Sequence, residues 1–358
     1  MNENSRIIDA DGHIFEDLAA IAAHMPPVWH ENRVSQLLGL FPQFDNLHLG
    51  LQRHPESAFT DPGVEGWKKF LDVTKVSATV LHPTWGVGFA RIIDPDLAVM
   101  TARAYNEWLY ETYLQEDPRF QAVAMIPLQD PEAAVKELHR AVTELGFVGG
   151  LLPANGLGRH LGDRAFWPVY AAAAELGCAL SIHGGCQNNL GLDTYTSPTA
   201  VHALGHPFGM AISFVGMTFA GVFDQFPSAR FAFQEGGLAW FLMVLERMDG
   251  SYGGLTPVDP RGRLAALREF DQVSDYIRDK IRTGQLMIGI EGDEELLPWA
   301  ISRYGQEAFA FATDFPHETN LGLCSEEIDE IAKNEGLDEA AKSAVLFDNA
   351  ARFYRLSM

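Results

Sequence analysis

The chain has 358 residues, 47% hydrophobic and 11% aromatic, which is ample material for a large core and excludes a disordered chain, a collagen or a mini-protein. Its 26 Lys and Arg face 48 Asp and Glu, a formal charge of −22. Such a surface repels phosphate backbones and anionic lipid heads, so nucleic-acid and membrane-surface binding are disfavoured, while the length leaves two domains or one large α/β barrel open.

Short apolar runs bounded by turn residues recur along the chain, and eight of them read as strands: Arg6–Ala10, Ala78–His82, Gln121–Ile126, Phe147–Leu152, Cys178–Ile182, Arg230–Gln234, Leu286–Ile290 and Ala308–Ala312. Segments with helical spacing separate them, including Pro95–Gln115, Pro131–Leu145, Arg164–Leu176, Phe208–Gln225, Leu238–Met248, Val273–Arg282 and Asp293–Tyr304. Nearly continuous hydrophobicity in the strands implies burial on both faces, hence a parallel sheet, and eight strands imply closure into a (β/α)8 TIM barrel. Residues 17–74 are rich in Pro, His and Asn and weakly periodic, and read as a lid-like insertion after strand one. The C-terminal helices within 326–356 are expected outside the barrel, and no linker divides residues 1–358, so a single domain is expected.

Cys178, Cys186 and Cys324 form no C-x-x-C pair and suit a reducing compartment. The first residues lack a basic stretch followed by an apolar one, so a cytoplasmic location is expected. Between Asp193 and Asp224 there is no Asp, Glu, Lys or Arg, but Pro198, His202, His206 and Pro207 interrupt the run. A polar loop followed by a buried helix is expected there, and no membrane span.

Reacting groups in a (β/α)8 barrel sit at the C-terminal strand ends. Here strand one runs into Asp11-Gly12-His13, strand five into His183, strand six into Glu235 and strand eight into Asp314 with His317 close behind. In Asp11-x-His13 the two-residue period of an extended chain points both side chains to one side, as two ligands of one ion require. Glu235 is a candidate acid/base, with capping of the following helix as the structural alternative. His317 is a further acid/base candidate. His202 and His206, four apart, could share a helix face and hold a second ion together with Glu235. Glu291 and Asp293 are further acids at the mouth, whereas His24, His30, His48, His54 and His82 suggest no specific role.

Over nearly its whole length, from Ile8-Asp9-Ala10-Asp11-Gly12-His13 to Asp348-Asn349-Ala350-Ala351-Arg352-Phe353-Tyr354, the chain resembles the metal-dependent amidohydrolase superfamily. The likeness is to the amidohydrolase-related branch that includes aminocarboxymuconate semialdehyde decarboxylase and the hydroxybenzoate decarboxylases. Gly221-Val222-Phe223-Asp224-Gln225-Phe226-Pro227 and Thr313-Asp314-Phe315-Pro316-His317 resemble its signatures around strands six and eight. The resemblance implies that Asp11, His13, His183 and Asp314 ligate a divalent metal ion. Strand six commonly carries an acid/base His in those decarboxylases, and Glu235 stands in its place.

Two nitrogens and two oxygens admit Zn, Mn, Fe or Co. The leading expectation is non-oxidative decarboxylation or hydrolysis of a small organic substrate by a homo-oligomeric enzyme. The alternatives are a diiron monooxygenase with two Fe ions and a non-catalytic binding barrel. Few Arg lie near strand ends, and Arg91 and Arg159 are the candidates for a carboxylate clamp.

Overall fold

Strands covered on both faces need no polar alternation, and the eight apolar runs form as such. The computed structural model describes residues 6–28, 41 and 56–357. Its strands are β1 (Ile7–Ile14), β2 (Val76–Pro83), β3 (Phe120–Met125), β4 (Gly149–Pro153), β5 (Ala179–His183), β6 (Arg230–Gln234), β7 (Leu286–Ile290) and β8 (Phe309–Phe311). They pair in sequence order and all in parallel. The ring closes just past β8, where Asp314 N donates to Asp11 O at 3.0 Å and His13 N donates to Phe315 O at 2.7 Å. The expected (β/α)8 barrel is therefore present.

Local chemistry sets the outer helices. Asp94 and Asp130 cap the helices Pro95–Leu109 and Pro131–Glu144, each accepting two backbone N–H groups ahead of a Pro in the first turn. The long apolar helix Pro198–Ala220 is wedged against the barrel. Phe214 meets Phe233, Trp240 and Phe241 edge to face and Phe223 at a tilt, and Ser213 donates to Ala154 O. It is the one described helix long and apolar enough to cross a membrane, and one face of it, with Val201, Met210, Phe214 and Met217 buried, packs into the core.

Three expectations change. Strand one does not stop at Ala10: β1 continues to Ile14 through a register irregularity between Asp9 and Gly12, so Asp11 and His13 are strand residues. The last part of the expected insertion, Gly63–Thr74, is a regular outer helix whose Trp67, Phe70 and Leu71 are buried in the core. Apolar residues at Val64, Trp67, Phe70 and Leu71 carry a helical period that the surrounding polar residues obscured. His30, His48 and His54 lie outside the described residues, and His24 stands 3.7 Å from Glu111.

The third change concerns the C-terminus. After the outer helix Leu321–Lys333, the chain from Glu339 to Tyr354 turns under the barrel rather than lying outside it. Phe347, Phe353 and Tyr354 pack with Ile8, Ala78, Val123, Ala179, Ala232 and Ala310 in one buried cluster. Small inward-facing side chains leave an opening at the lower end that only large rings fill. Arg230, at the start of β6, donates to the carbonyls of Gly177, Arg352 and Phe353 and anchors this plug.

Candidate metal centre

β1, β5 and the segment after β8 bring their polar side chains together at the upper end of the barrel. Gly12 makes the β1 irregularity possible, because a Cβ there would lie within 2.6 Å of Asp9 Oδ2 and Trp67. Asp9 itself ties β1 to its neighbours, accepting from Thr79 Oγ1 at 2.7 Å and from Thr313 N at 3.0 Å. Burial raises its carboxyl to about 6.

Asp11, His13 and His183 are fully or almost fully buried and offer one ligand atom each within 4.8 Å of one another. His183 Nε2 lies 3.3 Å from His13 Nε2 and 3.4 Å from Asp11 Oδ2, and His13 Nε2 lies 3.6 Å from Asp11 Oδ1. Donors at about 2.1 Å from a tetrahedral ion stand roughly 3.4 Å apart. Each imidazole directs its other nitrogen at a carbonyl: His13 Nδ1 donates to Pro83 O at 2.9 Å, and His183 Nδ1 donates to Gly184 O at 2.8 Å. The protons are thereby fixed on Nδ1 and both Nε2 atoms face the gap, the arrangement that metal-binding His residues adopt. Both Asp11 oxygens and Asp314 Oδ1 are buried without a well-formed hydrogen bond. Acceptors left so in an interior are accounted for by a cation. The residues fit a divalent metal ion. Asp314 adjoins the tight trio from one side, its Oδ1 3.6 Å from His13 Nε2.

The electrostatics agree. Burial opposes charge on Asp11, yet the His82 and His183 imidazoles hold its carboxyl well below the usual range. Burial, and then the Glu235 and Asp11 charges, push Asp314 well above it. Burial would lower His183, but the Asp11 and Glu235 charges lift it to about 9. In the metal-free protein a proton on His183 thus stands where a cation is called for.

Asp314 and Glu235 both have left-handed backbone, with φ of 49° and 55°. Such strain in non-glycine residues concentrates at functional sites. Glu235 Oε2 lies 3.3 Å from His183 Nε2 and 3.2 Å from His206 Nδ1, and Oε1 lies 4.0 Å from His317 Nδ1. It does not cap the helix Ala239–Gly254. Glu294 holds that end, accepting from Leu238 N through both oxygens at 2.7 and 2.9 Å. His317 stacks on His13 with centroids 4.0 Å apart, and its Nε2 meets Thr84 Oγ1 at 2.9 Å. Burial keeps its imidazole below the ordinary value. Phe59 lies parallel over His317 at 5.5 Å, and Phe15 meets Trp85 edge to face.

A cavity of about 390 Å³ opens beside these groups, lined by Glu235, His206, Asp314, Glu291, Glu318 and Glu327 among others, with no Lys or Arg among the described residues. Glu291 belongs to this wall and Asp293 does not. Arg91 and Arg159 do not line it either. Arg159 is paired with Asp163 at 3.3 Å at a separate groove. His202, half exposed, is held by Glu318 at 3.0 Å. The second-ion set of Glu235, His202 and His206 is not assembled: among the described residues the Asp11 trio is the only group spaced for an ion. Sequence reasoning missed His82. Its place at the end of β2, opposite His13 in register, could have flagged it, and its Nδ1 lies 2.7 Å from Asp11 Oδ1.

The amidohydrolase family model matches residues 8–356. A 2-amino-3-carboxymuconate-6-semialdehyde decarboxylase of Dictyostelium discoideum is 24% identical over 270 residues, covering 73% of this chain and 68% of the relative. A gamma-resorcylate decarboxylase of Polaromonas sp. is 26% identical over 283 residues, covering 74% and 79%. Among solved structures, a dihydroxybenzoic acid decarboxylase of Polaromonas sp. with bound manganese and the inhibitor 2-nitroresorcinol superposes with a TM-score of 0.67 at 19% identity, covering 98% and 97%. Nothing in these relatives or in the ligand spacing supports the diiron monooxygenase alternative. With the family model spanning the barrel from β1 to β8 and the candidate ligand residues of β1 and β5, the chain belongs to the amidohydrolase family of metal-dependent enzymes.

Proposed function

We propose that the chain is a lyase that releases CO2 without oxidation from a small planar unsaturated acid. Asp11, His13, His183 and Asp314 hold one divalent ion, and Glu235 and His317 handle protons. The observation that carries this reading is the convergence of two His Nε2 atoms and orphaned carboxylate oxygens at 3.3–3.6 Å. When bound, the ion supplies positive charge that stabilises negative charge developing on substrate oxygens.

The chain's own groups supply the rest. His317 is kept neutral by burial, with Thr84 on one nitrogen and Glu235 beyond the other. It is placed to take up a proton from water entering by the cavity and pass it to the carbon that loses CO2, with the Glu235 carboxylate stabilising the imidazolium formed in between. Phe15, Phe59 and Trp85 around His317 offer an apolar wall for a flat ring. Among the described residues the cavity wall carries no Lys or Arg, and in this reading the substrate carboxylate is met by the ion and the imidazoles. Manganese in the Polaromonas structure favours Mn2+ as the first ion to test. The cytoplasmic location and homo-oligomeric assembly expected from the sequence are part of this reading, and light scattering on the purified protein checks the assembly.

One observation favours a second reading. A carboxylate rather than an imidazole ends β6, and Glu235 is an acceptor suited to taking a proton from water, so hydrolysis is the alternative. A substrate panel of hydroxybenzoic acids and of amides and esters of the same ring size, assayed with Mn2+ for CO2 release and for hydrolysis, decides between them. CO2 release that disappears in Asp11→Ala supports the lyase; hydrolysis alone replaces it with the second reading.

A further inference from the structure

We propose that Glu16 and Thr84 form a clamp that positions the His317 imidazole and sets which of its nitrogens exchanges a proton. The inference rests on the proton-handling role read for His317 above. Two acids, Glu16 and Asp17, follow β1. Asp17 is exposed and caps its own helix Leu18–Ala23, accepting from Ala19 N and Ala20 N at 3.0 Å each. Glu16 is only 7% exposed and reaches across to the turn after β2 instead. There its Oε2 accepts from Trp85 N at 2.9 Å and its Oε1 from Gly86 N at 2.7 Å, while Thr84 N donates to Ile14 O at 3.2 Å. Three successive amides are thus held by the end of β1 and the residue just past it. A Cβ at Gly86 would lie 2.7 Å from Pro83 Cβ and 3.0 Å from Glu16 Oε1, so this close approach needs glycine.

The residue that the clamp presents is Thr84, buried like Glu16, whose Oγ1 meets His317 Nε2 at 2.9 Å. Stacking on His13 at 4.0 Å and on Phe59 at 5.5 Å fixes the plane of the His317 ring. It does not fix which edge points where, because a half-turn about the Cβ–Cγ bond keeps the same plane. The Thr84 hydroxyl decides it: the flipped ring would set a carbon against that oxygen and leave a buried polar group unmatched. Nε2 is thereby engaged, and Nδ1, 4.0 Å from Glu235 Oε1, is the nitrogen left to exchange a proton beside the cavity. Glu16 acts on the ring through Thr84, so both are positioning residues. The same carboxylate holds the backbone of Trp85, whose ring meets Phe15 edge to face at 6.0 Å, so Glu16 also bears on the apolar wall.

Steady-state kinetics of CO2 release by the full chain loaded with Mn2+ test the clamp, together with the ring-nitrogen NMR shifts of His317 in metal-free protein. Thr84→Val keeps the shape of the side chain and removes the hydroxyl. Its kcat should fall about tenfold with KM unchanged, within the roughly 10²-fold that a misplaced reacting group can cost, and Thr84→Ser should restore it. Glu16→Gln sets an amide N–H against a backbone N–H; it should lower kcat about tenfold and also raise KM, because it loosens Trp85. The double variant should be no lower in kcat than the lower single one, since Glu16 reaches His317 through Thr84. Ile277→Val, a core truncation on the outer helix Val273–Arg282, should lower Tm and leave both kcat and the His317 shifts alone. Wild-type kcat in Thr84→Val, a Thr84→Ser variant as slow as Thr84→Val, losses that multiply in the double variant, or an equal loss of kcat in Ile277→Val overturns the proposal. If Glu16→Gln does not fold, Thr84→Val and Thr84→Ser decide. If the wild type releases no CO2, the proposed function fails separately and the His317 shifts judge the clamp. A shifted Nε2 in both Thr84→Val and Glu16→Gln, with none in Ile277→Val, then supports it, and an unchanged Nε2 in Thr84→Val overturns it.

Discussion

At the floor of the barrel mouth, Asp11, His13, His82 and His183 are at most 1% exposed, and each imidazole has its second nitrogen tied to a carbonyl or a hydroxyl. At the rim, the side chains of Glu235, Asp314 and His206 keep 13–17% exposure and His202 keeps 46%. The floor is closed to solvent, mostly imidazole, and fixed by strands; the rim is acidic and open to the cavity, with Glu235 and Asp314 on left-handed strand ends and His202 and His206 on the helix Pro198–Ala220. The contrast teaches a division of labour. In the proposed reading the fixed floor donors, with Asp314 reaching in from the rim, hold the ion, while mobile protons and substrate belong to the side that water reaches.

The largest effect separates the two. Asp11→Ala at the floor should weaken Mn2+ binding by more than the roughly 100-fold typical of outer partners, with activity lost in parallel. Glu235→Gln at the rim should do the opposite, lowering kcat by about 10²–10⁴-fold while Mn2+ affinity changes little. A comparable loss of metal in both variants would erase the distinction.

A pH series sharpens it further. His183 stands at about 9 in the metal-free protein, above the ordinary 6.5, so an ion must displace its proton. Mn2+ affinity should therefore rise by roughly tenfold per pH unit below about 9 and level off above it. The same shift stabilises the metal-free fold fully below pH 6.5, and that contribution is lost as pH rises through 9. Titration calorimetry in buffers of different ionisation enthalpy counts the released proton.

The rim supplies the smallest effect. Burial, and then Glu291, Asp293 and Glu330, raise the Glu327 carboxyl from 4.5 to about 8. Its folded form favours the proton, so stability falls as pH rises from 4.5 toward 8. Glu327→Gln removes that penalty, and its Tm should exceed the wild type by a few degrees at pH 8 and match it below pH 4.5.

Most of the barrel was legible because a strand buried on both faces must be continuously apolar. Arg230–Gln234 and Leu286–Ile290 match the expected limits outright. Ligand-type residues at strand ends were legible for the same reason: an aspartate or histidine directly after such a run has nowhere to point but the mouth. His82 was hidden because a lone imidazole near the end of β2 looks like any other until the register sets it opposite His13 and within 2.7 Å of Asp11 Oδ1. The helix Gly63–Thr74 was obscured by the polar residues around it, and the plug because helical spacing does not say which end of a barrel a helix covers. His202 and His206 do share a face, 5.1 Å apart, but Glu318 and Glu235 take them up singly.

The central claim is that one divalent ion sits between β1 and β5 and is required for turnover. Elemental analysis of wild-type and Asp11→Ala protein after Mn2+ loading and desalting, run beside the CO2 assay, tests it most directly. The account predicts about one ion per chain in the wild type, essentially none in the variant, and activity that follows the metal. Equal metal content in the two proteins, or activity in metal-free wild type, would contradict it.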